Sequence, residues 1–234
     1  MLIPKTKHNY VGVEIECLIP NMDTNTLTNI FKQARLSRWV NVTTDSSVVD
    51  EDCRCGGCDY DCSIMGVEIR VLAKESEYKL IISKVVKVLL SVGAYVNETC
   101  GLHVHLDMRQ RDAPTCALRL LEQQDVMVAM QPRHRAESGY CSYMEIEAQM
   151  AAFYKWISLT PERYSVVNTT SYARLKTIEV RVHEGTLDSK EICDWIKWLV
   201  FVVDNKNITK WEEEYVQRRV ERYSKEHQGF DSAL

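Results

Sequence analysis

The chain has 234 residues, 45% of them hydrophobic and 26% charged, the balance of an ordinary folded domain with a sizeable core. Its formal net charge of −4 argues against a broad nucleic-acid-binding surface, which needs a basic excess. No apolar run is long enough to span a bilayer, and the polar stretch before Tyr10 lacks the apolar segment of a secretory signal, so a cytoplasmic protein without membrane contact is expected.

In chain order, a first strand is predicted over Tyr10 to Leu18, then a turn at Ile19-Pro20-Asn21. Asp23 or Thr24 can cap a helix running to about Leu36. A short strand follows around Val40 to Val42, then a cysteine-rich loop at 50–63 containing Gly56-Gly57, then a strand over Gly66 to Leu72. Tyr78, Ile81, Ile82, Val85, Leu89 and Val92 repeat at helical spacing, with Gly93 where a C-terminal cap belongs. A strand is predicted over Gly101 to Asp107, then helices near Pro114 to Met130 and near Ser142 to Ile157. The last strand covers Lys176 to His183, and Asp188 with Glu191 has the spacing of a capping box for the helix after it. A highly charged C-terminal helix is predicted at about 208–225. The pattern is α+β in a single domain, 1–234, without the regular alternation of a doubly wound sheet and without a glycine-rich phosphate loop.

The chemistry lies in what four strands put on one face. Side chains two apart in a strand point the same way. Glu14 and Glu16 lie opposite Val13, Ile15 and Cys17; Glu68 and Arg70 lie opposite Val67, Ile69 and Val71. His103 and His105 lie opposite Leu102, Val104 and Leu106; Glu179 and Arg181 lie opposite Ile178, Val180 and Val182. The apolar faces need helices to cover them. The other faces present four carboxylates, two imidazoles and two guanidinium groups. One such strand alone reads as a solvated sheet face, which usually carries Thr, Lys, Ser and Gln. Four together suit one or more Mg²⁺ or Mn²⁺ ions, which take carboxylate oxygen and, for Mn²⁺, imidazole, with the arginines facing phosphate oxygens.

Cys53, Cys55, Cys58 and Cys62 fall within ten residues, a spacing that suits a tetrahedral structural Zn²⁺; the other readings are free thiols, ligands pooled with a distant Cys or His, an iron–sulfur cluster or a redox disulfide. Cys17, Cys100, Cys116, Cys141 and Cys193 read as small core residues, and His8, His134, His183 and His227 as surface or packing residues.

The strings Gly12-Val-Glu-Ile-Glu16, Gly101-Leu-His-Val-His-Leu106 and Thr177-Ile-Glu-Val-Arg181, with Glu184-Gly-Thr-Leu187 following, resemble the amidoligase family, a compact branch of the glutamine synthetase and glutamate–cysteine ligase superfamily. The order of elements is also similar: E-x-E, an isolated Glu strand, H-x-H, then E-x-R. The resemblance covers about Tyr10 to Trp198. It implies a glutamine synthetase-like catalytic domain, with a curved, mainly antiparallel sheet and helices on one face.

It also implies roles. Glu14, His103 and Glu179 would hold the metal that contacts the nucleotide phosphates, and Glu16 and Glu68 the metal nearer the acceptor carboxylate. His105 would sit beside the nucleotide, with Arg163 and Asn168 also in the ATP site; Arg181 would clamp the transferred phosphoryl group, helped by Arg70. Asp45, in Asp45-Ser46-Ser47, would orient or deprotonate the amine. The implied reaction joins a carboxylate to an amine with ATP, through an acyl phosphate. The partners would be a small-molecule or peptide carboxylate and an amine, with a homo-oligomer or another partner completing the pocket. The competing readings are a metal-dependent hydrolase or phosphotransferase on the same carboxylates, and a zinc-stabilised binding module with a degenerate site.

Overall fold

The computed structural model describes residues 8–50, 64–151, 153–154, 161–204 and 209–227. Among them are six strands, β1 (Tyr10–Pro20), β2 (Val40–Thr44), β3 (Ile64–Lys74), β4 (Gly101–Asp107), β5 (Val167–Asn168) and β6 (Thr177–Glu184), of which β2, β3 and β1 are neighbours in that order, as are β4, β6 and β5. The chain divides into two units: one of Tyr10–Leu102 with Gly185–Cys193, the other of His103–Glu184 with the chain from Asp194 onward. The α+β pattern read from the sequence is the pattern observed.

In the first unit, β1 (Tyr10–Pro20) pairs antiparallel with β3 (Ile64–Lys74), and β3 pairs antiparallel with β2 (Val40–Thr44). β1 and β3 each run two residues beyond the predicted C-terminal end, and β3 starts two residues earlier. The extra length comes from pairing, which no local propensity encodes: Pro20 faces Ile64 across the ladder. Val11, Val13, Ile15 and Cys17 from β1 and Val67, Ile69, Val71 from β3 are all buried, as the alternation requires. Helix α1 (Thr24–Gln33) starts at Asp23, whose carboxylate accepts from the Thr26 amide at 2.7 Å. α2 (Tyr78–Ser91) packs on β3 and buries Ile81, Ile82, Val85 and Leu89. Gly93, at φ 77°, lets the Ala94 amide reach back to the Leu89 carbonyl at 3.0 Å. Burial pushes the Cys17 thiol above its ordinary range, so it behaves as a small apolar residue there.

β4 (Gly101–Asp107) begins in the first unit and continues into the second from His103. The second unit also holds α3 (Ala113–Leu121), α4 (Gln124–Ala129), α5 (Arg133–Ala136), α6 (Ile146–Met150), β5 (Val167–Asn168), α7 (Ser171–Leu175) and β6 (Thr177–Glu184). The helix predicted over Pro114 to Met130 is therefore two helices. That predicted near Ser142 to Ile157 is, among the described residues, the single turn-and-a-half α6; Ser142 instead lies extended, bridged to Ser165. Tertiary bonds account for this. The fully buried Gln149 side chain donates to the Glu162 carbonyl and the Ser165 hydroxyl, and accepts from the Thr169 amide and hydroxyl. Such contacts outweigh helix propensity over short stretches.

α8 (Ser189–Asp204) runs from the first unit into the second. Asp188 accepts from the Lys190 and Glu191 amides, as the expected capping box requires, and Glu191 accepts from the Thr186 hydroxyl. Within the second unit Trp195, Ile196, Leu199 and Val203 are buried, with Trp195 stacked on Trp198 at 5.3 Å. α9 (Lys210–His227) packs on α4 and α5, two residues later than predicted at its start. Thr209 opens it: its amide and hydroxyl both bond Glu212, the capping pair the sequence reading overlooked.

Candidate active site

In the first unit the acidic face is built by β1 and β3. The register sets Glu14 opposite Arg70 and Glu16 directly opposite Glu68. Glu16 and Glu68 are both buried. Two like charges facing each other across a ladder repel, and burial sharpens the repulsion, so the pair requires positive charge nearby. Some is supplied locally. The Glu16 carboxylate accepts from the Gly101 amide at 2.6 Å, and Arg70 Nε bonds Glu68 and lies 3.7 Å from Glu14. Asp45, just after β2, joins them: Glu16, Asp45 and Glu68 offer oxygens that lie within 4.8 Å of one another. Glu14 and Glu68 also offer oxygens within that distance.

Asp45 is held there by its own loop. Its Oδ1 accepts from the Ser47 amide at 2.9 Å and the Ser47 hydroxyl at 2.6 Å, and its amide donates to the Gly66 carbonyl. Gly66 is required at that point, because a Cβ would strike the Val48 carbonyl and come within 2.6 Å of the Asp45 carbonyl.

In the second unit the constellation centres on Glu179, in the middle of β6. One of its oxygens takes Arg181 Nη1 at 2.5 Å, with His103 Nδ1 at 3.7 Å and His105 Nε2 at 3.8 Å. The other accepts from Asn168 Nδ2 at 2.6 Å, which the two-residue β5 delivers by pairing with β6. Asn168 is itself fixed, its side-chain oxygen accepting from the Thr170 amide and hydroxyl. His105 Nδ1 lies 3.1 Å from the Thr177 hydroxyl. His103, His105, Asn168, Glu179 and Arg181 are all buried.

Arg135, which the sequence reading did not single out, is buried among them. Its Nη2 donates to the Arg181 carbonyl at 2.7 Å and lies 3.4 Å from His103 Nε2. Its only sequence signal was a basic residue in a basic run, which ordinarily marks a solvated helix face. Arg163 is exposed and differs from the others: its guanidinium lies over the Tyr164 ring, 5.5 Å from the centroid, and among the described residues not on a carboxylate.

Cys53, Cys55, Cys58 and Cys62 lie outside the described residues. Cys100, Cys116 and Cys141 are buried, as expected of core thiols. Among the described residues no helix is long and apolar enough to cross a membrane. A cleft of about 510 Å³ in the second unit, lined by Arg119, Glu122, Trp198, Phe201 and Val216 among others, contains none of the predicted site residues.

The donor set fits a hard divalent cation. Glu16, Asp45 and Glu68 present only carboxylate oxygens, converged within 4.8 Å of one another. Around Glu179, imidazole, carboxylate and guanidinium share a buried site suited to phosphate or a metal–phosphate ligand. No curated protein matches this chain. Residues 7–203 do match the family model described as "Putative amidoligase enzyme". The order E-x-E, Glu, H-x-H, E-x-R and the model match over most of the chain agree, and the chain belongs to the amidoligase family.

Proposed function

We propose that this protein is an ATP-dependent carboxylate–amine ligase that forms an amide through an acyl phosphate. The observation that carries the reading is the buried set of His103, His105, Asn168 and Arg181 gathered on Glu179 in a chain of the amidoligase family. Glu14, His103 and Glu179 are assigned to the nucleotide side of the site, and Glu16 and Glu68 to the side nearer the acceptor carboxylate, following the family order. Mg²⁺ or Mn²⁺ bound to these residues supplies charge neutralisation for the phosphates and the acceptor carboxylate.

A free carboxylate is a poor acyl donor because oxide leaves badly. Its oxygen therefore attacks the γ-phosphorus of ATP, the bond to the β-phosphate oxygen breaks, and ADP leaves. Arg181 neutralises charge on the transferred group, with Arg70 as a second guanidinium. The amine then attacks the acyl carbon, the carbon–oxygen bond to phosphate breaks, and inorganic phosphate leaves. Asp45 orients the incoming amine and takes its proton. Cys53, Cys55, Cys58 and Cys62 are assigned a structural Zn²⁺, which metal analysis of the purified protein would find at one equivalent.

The test is ADP release from Mg²⁺-ATP across a panel of amino acids, short peptides and polyamines. The reading expects release that requires both a carboxylate and an amine and is lost in Glu179→Ala. Release indifferent to the amine would instead support a hydrolase or phosphotransferase on the same carboxylates. Absence of nucleotide binding by calorimetry would leave a zinc-stabilised binding module.

A further inference from the structure

Three extended stretches of the second unit are stitched side by side. The Ser142 amide donates to the Tyr164 carbonyl at 2.9 Å, Val166 to the Ser142 carbonyl at 3.0 Å, and Arg181 to the Val166 carbonyl at 3.0 Å. The stitching fixes two tyrosines beside the arginine of the E-x-R strand. Tyr140 and Tyr164 meet edge to face, with centroids 5.7 Å apart and planes at 82°. The Arg181 guanidinium lies 5.6 Å from the Tyr164 centroid and its Nε donates to the Tyr140 carbonyl at 3.3 Å; Arg163 lies 5.5 Å from the same centroid.

Both rings nevertheless leave much of their surface to solvent, Tyr140 at 52% and Tyr164 at 45% exposed. Scattered exposed tyrosines are common and need no explanation. Two rings locked by backbone bonding, with two guanidinium groups over one of them, form a rigid platform instead. The ligand such a platform takes is planar, aromatic and anionic: the ring stacks on tyrosine and the negative groups pair with arginine.

We propose that Tyr140 and Tyr164 are the stacking surface for the nucleobase of the nucleoside triphosphate, a subsite that rests on the nucleotide reading above. The base lies against the exposed face of one ring and meets the edge of the other, and the phosphates run toward Arg163 and Arg181. Base–aromatic stacking of this kind accounts for about tenfold or more in affinity.

The experiment compares Mg²⁺-ATP with Mg²⁺-tripolyphosphate, which has the phosphates without the base, by calorimetry. The proteins are wild type, Tyr140→Ala, Tyr164→Ala and Tyr164→Phe, each checked for folding by circular dichroism. The expected result is tighter binding of ATP than of tripolyphosphate to wild type. ATP should weaken about tenfold in at least one alanine variant while tripolyphosphate is unchanged, and Tyr164→Phe should retain ATP affinity. ATP affinity unchanged in both alanine variants overturns the subsite, and so does equal weakening of ATP and tripolyphosphate. Equal binding of the two ligands by wild type overturns the subsite but leaves the phosphate site standing. Binding of neither overturns the nucleotide reading and the subsite with it.

Discussion

Glu179 shows how single side chains divide the labour. Its neighbours in the second unit bond both of its oxygens, so its position is over-determined before any ligand arrives. Asn168 holds one oxygen and is held in turn by Thr170. Partners of this kind orient ligand groups, and losing one typically lowers metal affinity about 10–100-fold. Asn168→Ala is therefore expected to weaken Mn²⁺ binding by about that factor with little change in thermal midpoint, as measured by calorimetry and scanning fluorimetry on one sample. Unchanged Mn²⁺ affinity would mean that Asn168 does not position Glu179 for the metal. At this scale the sequence was informative where chemistry repeats at strand spacing: Glu14 with Glu16, His103 with His105, Glu179 with Arg181. It was silent on Arg135, on Asp45 joining Glu16 and Glu68, and on the Tyr140–Tyr164 pair, because those depend on which distant backbones meet.

At the scale of elements, the period-two alternation made β1, β3, β4 and β6 legible, since one face of each is apolar throughout. The stretch from Arg133 to Asn168 was not legible. Its helices α5 and α6 are too short to declare a period, and side-chain bonds such as those of Gln149 hold them. Two predictions belong here. Gly66→Ala forces β3 against the Asp45–Val48 turn. It should destabilise the fold by about 1–3 kcal/mol in urea titration and weaken Mn²⁺ binding by displacing the strand that carries Glu68. Normal stability with normal Mn²⁺ affinity would mean that this turn yields freely.

The second concerns His183, fully buried near the end of β6 and 5.0 Å from Trp195. Burial lowers its pKa well below the ordinary value, and the nearby Arg219 and Arg135 charges act the same way, against the opposing effect of its bond to the Glu184 carbonyl. The folded state thus favours the neutral ring, and the unfolded chain takes the proton first as pH falls. The stability this confers is complete above about pH 6.5 and is lost below it, at up to about 1.4 kcal/mol per pH unit. His183→Gln, which cannot titrate, should show a shallower acid loss between pH 7 and 5 in urea midpoints. Identical slopes for the two proteins would place the acid sensitivity elsewhere.

At the scale of the molecule, the family match ends at residue 203, and α9 lies beyond it. Within the second unit that helix reaches back to β6: Arg219 bonds the Met130 carbonyl and Gln131, and Tyr223 bonds Glu184 at the end of the strand. Burial and the Glu184 bond both push the Tyr223 phenol above its ordinary range, so it remains a donor at neutral pH. The proposed ligase reaction turns on one chemical step, the activation of a carboxylate by phosphorylation. The most direct measurement supplies a panel of ¹⁸O-labelled carboxylates with Mg²⁺-ATP, using hydroxylamine as a universal amine. A ligase acting through an acyl phosphate gives hydroxamate in step with ADP, inorganic phosphate carrying one labelled oxygen, and loss of both in Glu179→Ala. ADP formed without hydroxamate, with phosphate taking its oxygen from water, would contradict it.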